Sequence, residues 1–188
     1  MGKKLSEMSL EELWDLFPIY LSEHQECWRQ WYREEEALLL AYLPEKQIKR
    51  ISHIGSTAIE IIWAKPIIDI LVEISLECEM DDIKEILLEC GYLCMSEGKD
   101  RMSFNKGYTE HGFAERVYHL HVRYAGDNDE LYFRDYLNEK PEVAKEYEQL
   151  KLSLWKEYEH DRDGYTESKT GFVSAATRRA KEEYRDKY

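Results

Sequence analysis

The stretch from His53 to Glu73 limits what this chain can fold into more than any other. An apolar segment is interrupted by the small-residue turn Gly55-Ser56-Thr57 and resumes after Pro66 as Ile67-Ile68-Asp69-Ile70-Leu71-Val72-Glu73-Ile74. A continuous β-branched run of this length reads as a strand buried on both faces. Alternation along a strand puts Asp69, Leu71 and Glu73 on one face and Ile68, Ile70 and Val72 on the other. An acid inside such a strand is costly unless it is paired, hydrogen-bonded or turned toward a site.

The flanking pattern gives the fold class. Ser9 to Glu12 forms a capping box that opens a short helix. A longer helical pattern runs from Ile19 to Leu43 and stops at Pro44. Ile48–Ile54 alternates as a half-buried strand, Asp81–Cys90 is helical up to Gly91, and Tyr92–Met95 is a short edge strand. Arg101–Tyr108 and Val117–Tyr124 pair as antiparallel strands across a loop holding Gly107, His111 and Gly112. Helices follow at Leu131–Asn138, Pro141–His160 and Glu167–Tyr184, with Pro141 at a favoured first helical position. The expected fold is α+β, a small mixed β-sheet flanked by helices. Residues 1–188 read as one domain, with N-terminal helices at 9–43, a sheet core at 47–124 and C-terminal helices at 129–186.

Charge narrows the partners. The net charge of −13 opposes broad attraction to nucleic acid or to an anionic membrane. Arg50, Lys65, Arg101, Lys106 and Arg123 nevertheless gather in the middle third, around the Gly-Ser turn. Four cysteines without a Cys-x-x-Cys pair read as free thiols in a reducing compartment. The charged N-terminus is no secretory signal, and no apolar run approaches the roughly 20 residues needed to span a bilayer, so a cytoplasmic protein is expected. The aromatic N-terminal segment (Trp14, Tyr20, Trp28, Trp31, Tyr32) either covers the sheet or serves as a homodimer contact.

The same stretch suggests chemistry. A Gly-Ser turn lets backbone N–H groups approach a phosphate, which nominates Gly55, Ser56 and Thr57 as contacts. Lys65, Arg101 and Lys106 are candidate partners for its charge; each is otherwise a solvated strand-edge cation. Asp69 is either a buried acid bonded to the turn or a ligand for an accompanying Mg²⁺. His119 and His121 share a strand face, where they serve as metal ligands or phosphate contacts, or simply sit in a half-buried sheet. Asp69 and His121 are the candidate catalytic residues, and Asp69, His119 and His121 the candidate metal ligands. Glu73, further along the strand, is expected to be a strand-end acid in solvent. A Ser56–His121–Asp69 triad is disfavoured because Ser56 lacks a nucleophile-elbow context.

At these residues the chain resembles the GrpB family, placed within the nucleotidyltransferase (DNA polymerase β-like) superfamily. The matching segments are Arg50 to Thr57, Ala64 to Ile70, His119 to Val122 and Phe133 to Leu137, with Tyr147, Leu150-Lys151, Tyr165, Lys169 and Phe172 further on. The superfamily implies a turn that receives a nucleotide triphosphate and an Asp-x-Asp strand that, with a third acid, binds two Mg²⁺. Gly55 and Ser56 match that turn and Asp69 the first acid. Leu71 departs from the second acid, and His121 stands where the third is expected. The resemblance implies Mg²⁺-dependent nucleotidyl or phosphoryl transfer with an incomplete acidic site. The alternative is a non-catalytic nucleotide- or phosphate-binding domain linked to nucleotide or coenzyme A metabolism.

Overall fold

The computed structural model describes residues 3–185 and 187–188. Ser9 caps α1 (Leu10–Leu16), accepting from the Glu12 amide while the Glu12 carboxylate reaches back to Ser9. The predicted long helix starts only at Cys27: α2 is Cys27–Tyr42. Residues 18–22 are extended instead. The Ile19 amide donates to the Glu159 carbonyl, and Ser22 exchanges two backbone hydrogen bonds with Ala64. Ile19 and Leu21 are buried while Tyr20 is exposed, a period of two that belongs to extended chain.

The strands are β1 (Ile48–Ile54), β2 (Ile68–Ile74), β3 (Leu93–Glu97), β4 (Arg101–Thr109) and β5 (Gly112–Tyr124), with α3 (Met80–Glu89) between β2 and β3. They form one sheet in the order β1-β2-β5-β4-β3. Only β2 and β5 run parallel, so the sheet is mixed and the fold α+β. The loop expected between β4 and β5 is a tight hairpin, because the ladder continues to Thr109 opposite Gly112. The chain ends with α4 (Asp129–Glu139), α5 (Pro141–Glu157) and α6 (Arg162–Tyr184). Among the described residues no helix is long and apolar enough to cross a membrane.

The two sheet faces differ. Ile68, Ile70, Val72 and Ile74 of β2 join Tyr118, Leu120 and Val122 of β5, Phe104 of β4, and Trp28 and Leu39 of α2 in the main apolar core. The aromatic N-terminal segment thus covers the sheet through Trp28, which is fully buried. The opposite face is roofed by α4–α6. There Leu71 packs on Ile54 and on Leu131 of α4.

Glu73 overturns its expectation. Its side chain is 1% exposed, bound by Arg50 (Nε–Oε2 2.5 Å) and by donations from Asn128 Nδ2 (2.9 Å) and the Gly126 amide (3.2 Å). Such burial requires these partners, since an unpaired carboxylate there would be prohibitive.

Candidate functional site

The parallel pairing of β2 with β5 sets Asp69 beside His119 and Leu71 beside His121 on the face under α4–α6. A polar cleft of about 260 Å³ opens there, bounded on the sheet side by Ser56, Thr57, Lys65, Asp69, His119 and His121. Its far wall is Lys151 of α5 with Arg162, Tyr165, Thr166 and Lys169 of α6.

Gly55 holds the turn against Asp69. It adopts φ +71°, and a Cβ built on it would lie 2.2 Å from Asp69 Oδ2. No residue with a side chain fits there without displacing the carboxylate. Thr57 anchors the turn from below: its hydroxyl donates to the Ile67 carbonyl (3.1 Å), which leaves His53 Nε2 as the donor to Thr57 Oγ1 (2.9 Å). Burial drives the His53 imidazole down to about 4, so it is neutral near pH 7. Ser56 lines the cleft.

His119 is committed at both ring nitrogens. Nδ1 lies 3.3 Å from Asp69 Oδ1, and Nε2 lies 2.8 Å from the Tyr108 hydroxyl, which accepts from Arg162 (3.0 Å). Each hydrogen finds an acceptor when the chain runs from Arg162 to Tyr108 to His119 Nε2, and from His119 Nδ1–H to Asp69. Burial raises the Asp69 carboxyl, but the His119 hydrogen bond and the neighbouring imidazoles outweigh it and hold it below the usual carboxylate range. His121 takes no part in this chain; burial lowers its pKa, with Asp69 acting against. Of the two histidines, His121 is the one whose ring makes no side-chain hydrogen bond among the described residues.

Alternation along β4 hides Tyr108. Asn105 shares the His119 face and Lys106 the opposite one, so strict period two sends Tyr108 away from the cleft. A bulge between Lys106 and Tyr108 reverses this. Gly107 at φ +92° permits it, because a Cβ there would lie 2.2 Å from the Arg116 carbonyl. Lys106 stays on the other face and neutralises the buried Glu35 (2.7 Å), which also accepts from the Tyr92 hydroxyl (2.8 Å). Arg101 shares the His121 face but lies two residues further along, roughly 7 Å, and makes a bidentate pair with Asp127 (2.6 and 2.8 Å). The structure therefore brings neither predicted cation to the cleft.

Three cations not singled out as site residues from the sequence take their place: Lys151, Arg162 and Lys169, alongside Lys65. Lys65 Nζ lies 4.3 Å and Lys169 Nζ 4.0 Å from the Tyr165 ring centre. Lys151, 2% exposed, donates to the Trp63 carbonyl and lies 4.9 Å from the Tyr147 ring centre. Burial and then Lys169 push Lys151 down to about 7. Burial lowers Lys169 to about 8, with Asp69 acting against. Lys65 falls well below the usual lysine range through burial, then through Lys169 and Arg162. The Tyr165 hydroxyl is buried without a hydrogen-bond partner among the described residues.

These residues do not fit the Mg²⁺ site that the resemblance implies. Mg²⁺ takes hard oxygen ligands, and a two-metal site needs several convergent carboxylates. The cleft supplies one, Asp69, already bound by His119 and faced by four cationic side chains. Among the described residues no group of three His, Cys, Asp or Glu is arranged to hold a metal ion, Asp69, His119 and His121 included. An acid at position 71 would sit in the apolar contact with Ile54 and Leu131.

Comparison with known proteins places the chain in a family. The chain is 40% identical over 163 residues to the glutamate-rich protein GrpB of Alkalihalophilus pseudofirmus, covering 82% of this chain and 91% of that one. It is 31% identical to the UPF0157 protein YqkA of Bacillus subtilis across 95% of its own length, and spans about half, 52%, of YqkA. The crystal structure of conserved protein GrpB from Enterococcus faecalis superposes with a TM-score of 0.75 at 29% identity, covering 88% of this chain and 99% of that one. The family model described as GrpB protein matches residues 18–179, from the extended segment before α2 into α6. The chain belongs to the GrpB family.

Proposed function

We propose that the cleft binds a phosphate-bearing small molecule through its lysines and Arg162, without a divalent metal. The observation that carries this is the convergence of Lys65, Lys151, Arg162 and Lys169 on a cleft with one carboxylate, in a chain of net charge −13. Gathering cations in a part-buried space is unfavourable unless an anion relieves their repulsion and desolvation. The lowered pKa values of Lys151 and Lys169 express that cost. The Tyr165 hydroxyl, buried and without a partner among the described residues, adds a donor for the same guest. Gly55 and Ser56 bring the turn close, His121 offers a neutral ring, and the Asp69–His119–Tyr108 chain holds Arg162 in position.

Titration calorimetry with tripolyphosphate and with ATP, each in EDTA and in Mg²⁺, tests this. Binding in EDTA that is lost in Lys169→Ala and retained or strengthened in Asp69→Asn supports the reading. Binding that requires Mg²⁺ and disappears in Asp69→Asn would favour metal-dependent nucleotidyl or phosphoryl transfer instead. No binding of either compound defeats both.

A further inference from the structure

Beside the cationic cleft lies a second, smaller hollow of about 180 Å³ with opposite chemistry. Lys65, Ile67 and Arg162 belong to both, so the two share a wall. The rest of the hollow is largely apolar: Pro18, Ile19 and Tyr20 on the extended segment, Pro66, and Phe113 and Val117 on β5. These walls are fixed. Ile19 is held at both backbone groups, its amide donating to the Glu159 carbonyl (2.8 Å) and its carbonyl accepting from Trp155 Nε1 (2.7 Å). Phe113 rests on Phe17 and Tyr108, ring centres 5.0 and 5.2 Å away. Tyr108 in turn bonds Arg162 and His119 of the cleft, so the ring cluster and the charge cluster are one construction. Phe113 and Tyr20 are 36% and 48% exposed, leaving ring surface without protein cover.

We infer that the guest of the cleft is an organic polyphosphate carrying a planar aromatic group, and that this group seats against Phe113, Pro18 and Pro66. The inference rests on the reading of the cleft as a phosphate site and adds the class of molecule. Flat rings and prolines present faces suited to stacking a ring system, and a hollow of this size takes one such system but no long acyl chain. The shared Arg162 and Lys65 fix the geometry, with phosphates on one side of these cations and the ring on the other. A nucleobase and another aromatic group offer the same face here.

Competition titrations of the full chain in EDTA test the inference with tripolyphosphate, ATP, phenyl triphosphate and farnesyl diphosphate. The expected result is that ATP or phenyl triphosphate binds about ten-fold more tightly than tripolyphosphate. ATP alone gaining identifies a nucleobase; both gaining identifies a generic ring. Tyr20→Ala, whose ring is exposed and makes no hydrogen bond or cation–π contact with the cleft cations among the described residues, is expected to reduce that advantage. Phe113→Ala is expected to erase it, lowering affinity for the aromatic compounds more than for tripolyphosphate even though its packing on Tyr108 also touches the cleft. Equal affinities for tripolyphosphate and both aromatic compounds, or an equal gain for farnesyl diphosphate, would overturn the inference while leaving the phosphate reading standing. Failure of all four compounds would remove the phosphate reading itself.

Discussion

The two faces of one sheet are built from the same strands, yet they solve different problems. Toward α2 and α3, every second residue of β2 is Ile or Val and fully buried, and the partner strands present Tyr118, Leu120, Val122 and Phe104. Toward α4–α6, the intervening positions carry Asp69, Leu71 and Glu73 beside His119, His121 and Arg123. On that second face burial is offset group by group: Glu73 by Arg50 and Asn128, His119 by Asp69 and Tyr108, Arg123 by Glu130. The lysines of the cleft are the exception, since four cations meet one acid. One face is an apolar core with a buried acid, Glu35, matched by Lys106 and Tyr92, and the other is a polar layer with a charge surplus at one end.

The largest test of this contrast removes core volume. Trp28→Ala should cost about 3–5 kcal/mol of unfolding free energy, measured by urea denaturation, while the polyanion affinity of the folded fraction stays unchanged. A fall in that affinity would show that the two faces are not independent. Glu73→Ala comes next: it strands Arg50 and Asn128 in the polar layer and should cost about 3 kcal/mol, again by denaturation. A loss below about 1 kcal/mol would mean that the polar layer is far more solvated than its burial suggests.

A pH series sharpens the exception. Lys151 and Lys169 titrate at about 7 and about 8 in the folded chain, against 10.5 for an ordinary lysine. Between those values the unfolded chain binds more protons, so the stability of the ligand-free protein should rise as pH climbs from about 7 toward 10. Polyanion affinity should fall over the same interval, and binding near pH 8 should take up protons, visible as a calorimetric enthalpy that varies with buffer ionisation heat. Stability flat over this range would remove the charge surplus from the account. The smallest effect belongs to Arg101→Ala, which breaks an exposed pair with Asp127 and should change stability by no more than about 0.5 kcal/mol, with ligand affinity unaltered. A clear drop in affinity there would return Arg101 to the site.

The turn and the acid were legible because both signals are local. Gly55-Ser56 interrupts an apolar run, Asp69 interrupts the next, and the clash of a Cβ at Gly55 with Asp69 joins them. The pairing of Asp69 with His119 was open to inference as soon as β2 and β5 were taken as neighbours. Tyr108 was hidden by the bulge at Gly107, where a glycine between polar residues was the available hint. Lys106 and Arg101 misled because a cation near a motif in sequence says nothing about the acid it will find: Glu35 comes from α2 and Asp127 from the turn after β5. Glu73 misled likewise, since its partners are Arg50 on the neighbouring strand and Gly126 and Asn128 in the turn after β5.

What the residues determined unaided was periodic or adjacent: the α+β composition, the two-faced character of β2, the glycine turn and the family resemblance. Side-chain alternation and turn chemistry act over a few residues, so the order of residues is enough to read them. The tertiary structure alone decided which charges meet. Lys151, Arg162 and Lys169 lie 82 or more positions from Asp69 in the chain, on helices whose local pattern reports only that they are amphipathic. Coulombic attraction and desolvation depend on distance in space and on burial, and neither quantity exists until the helices pack across the sheet.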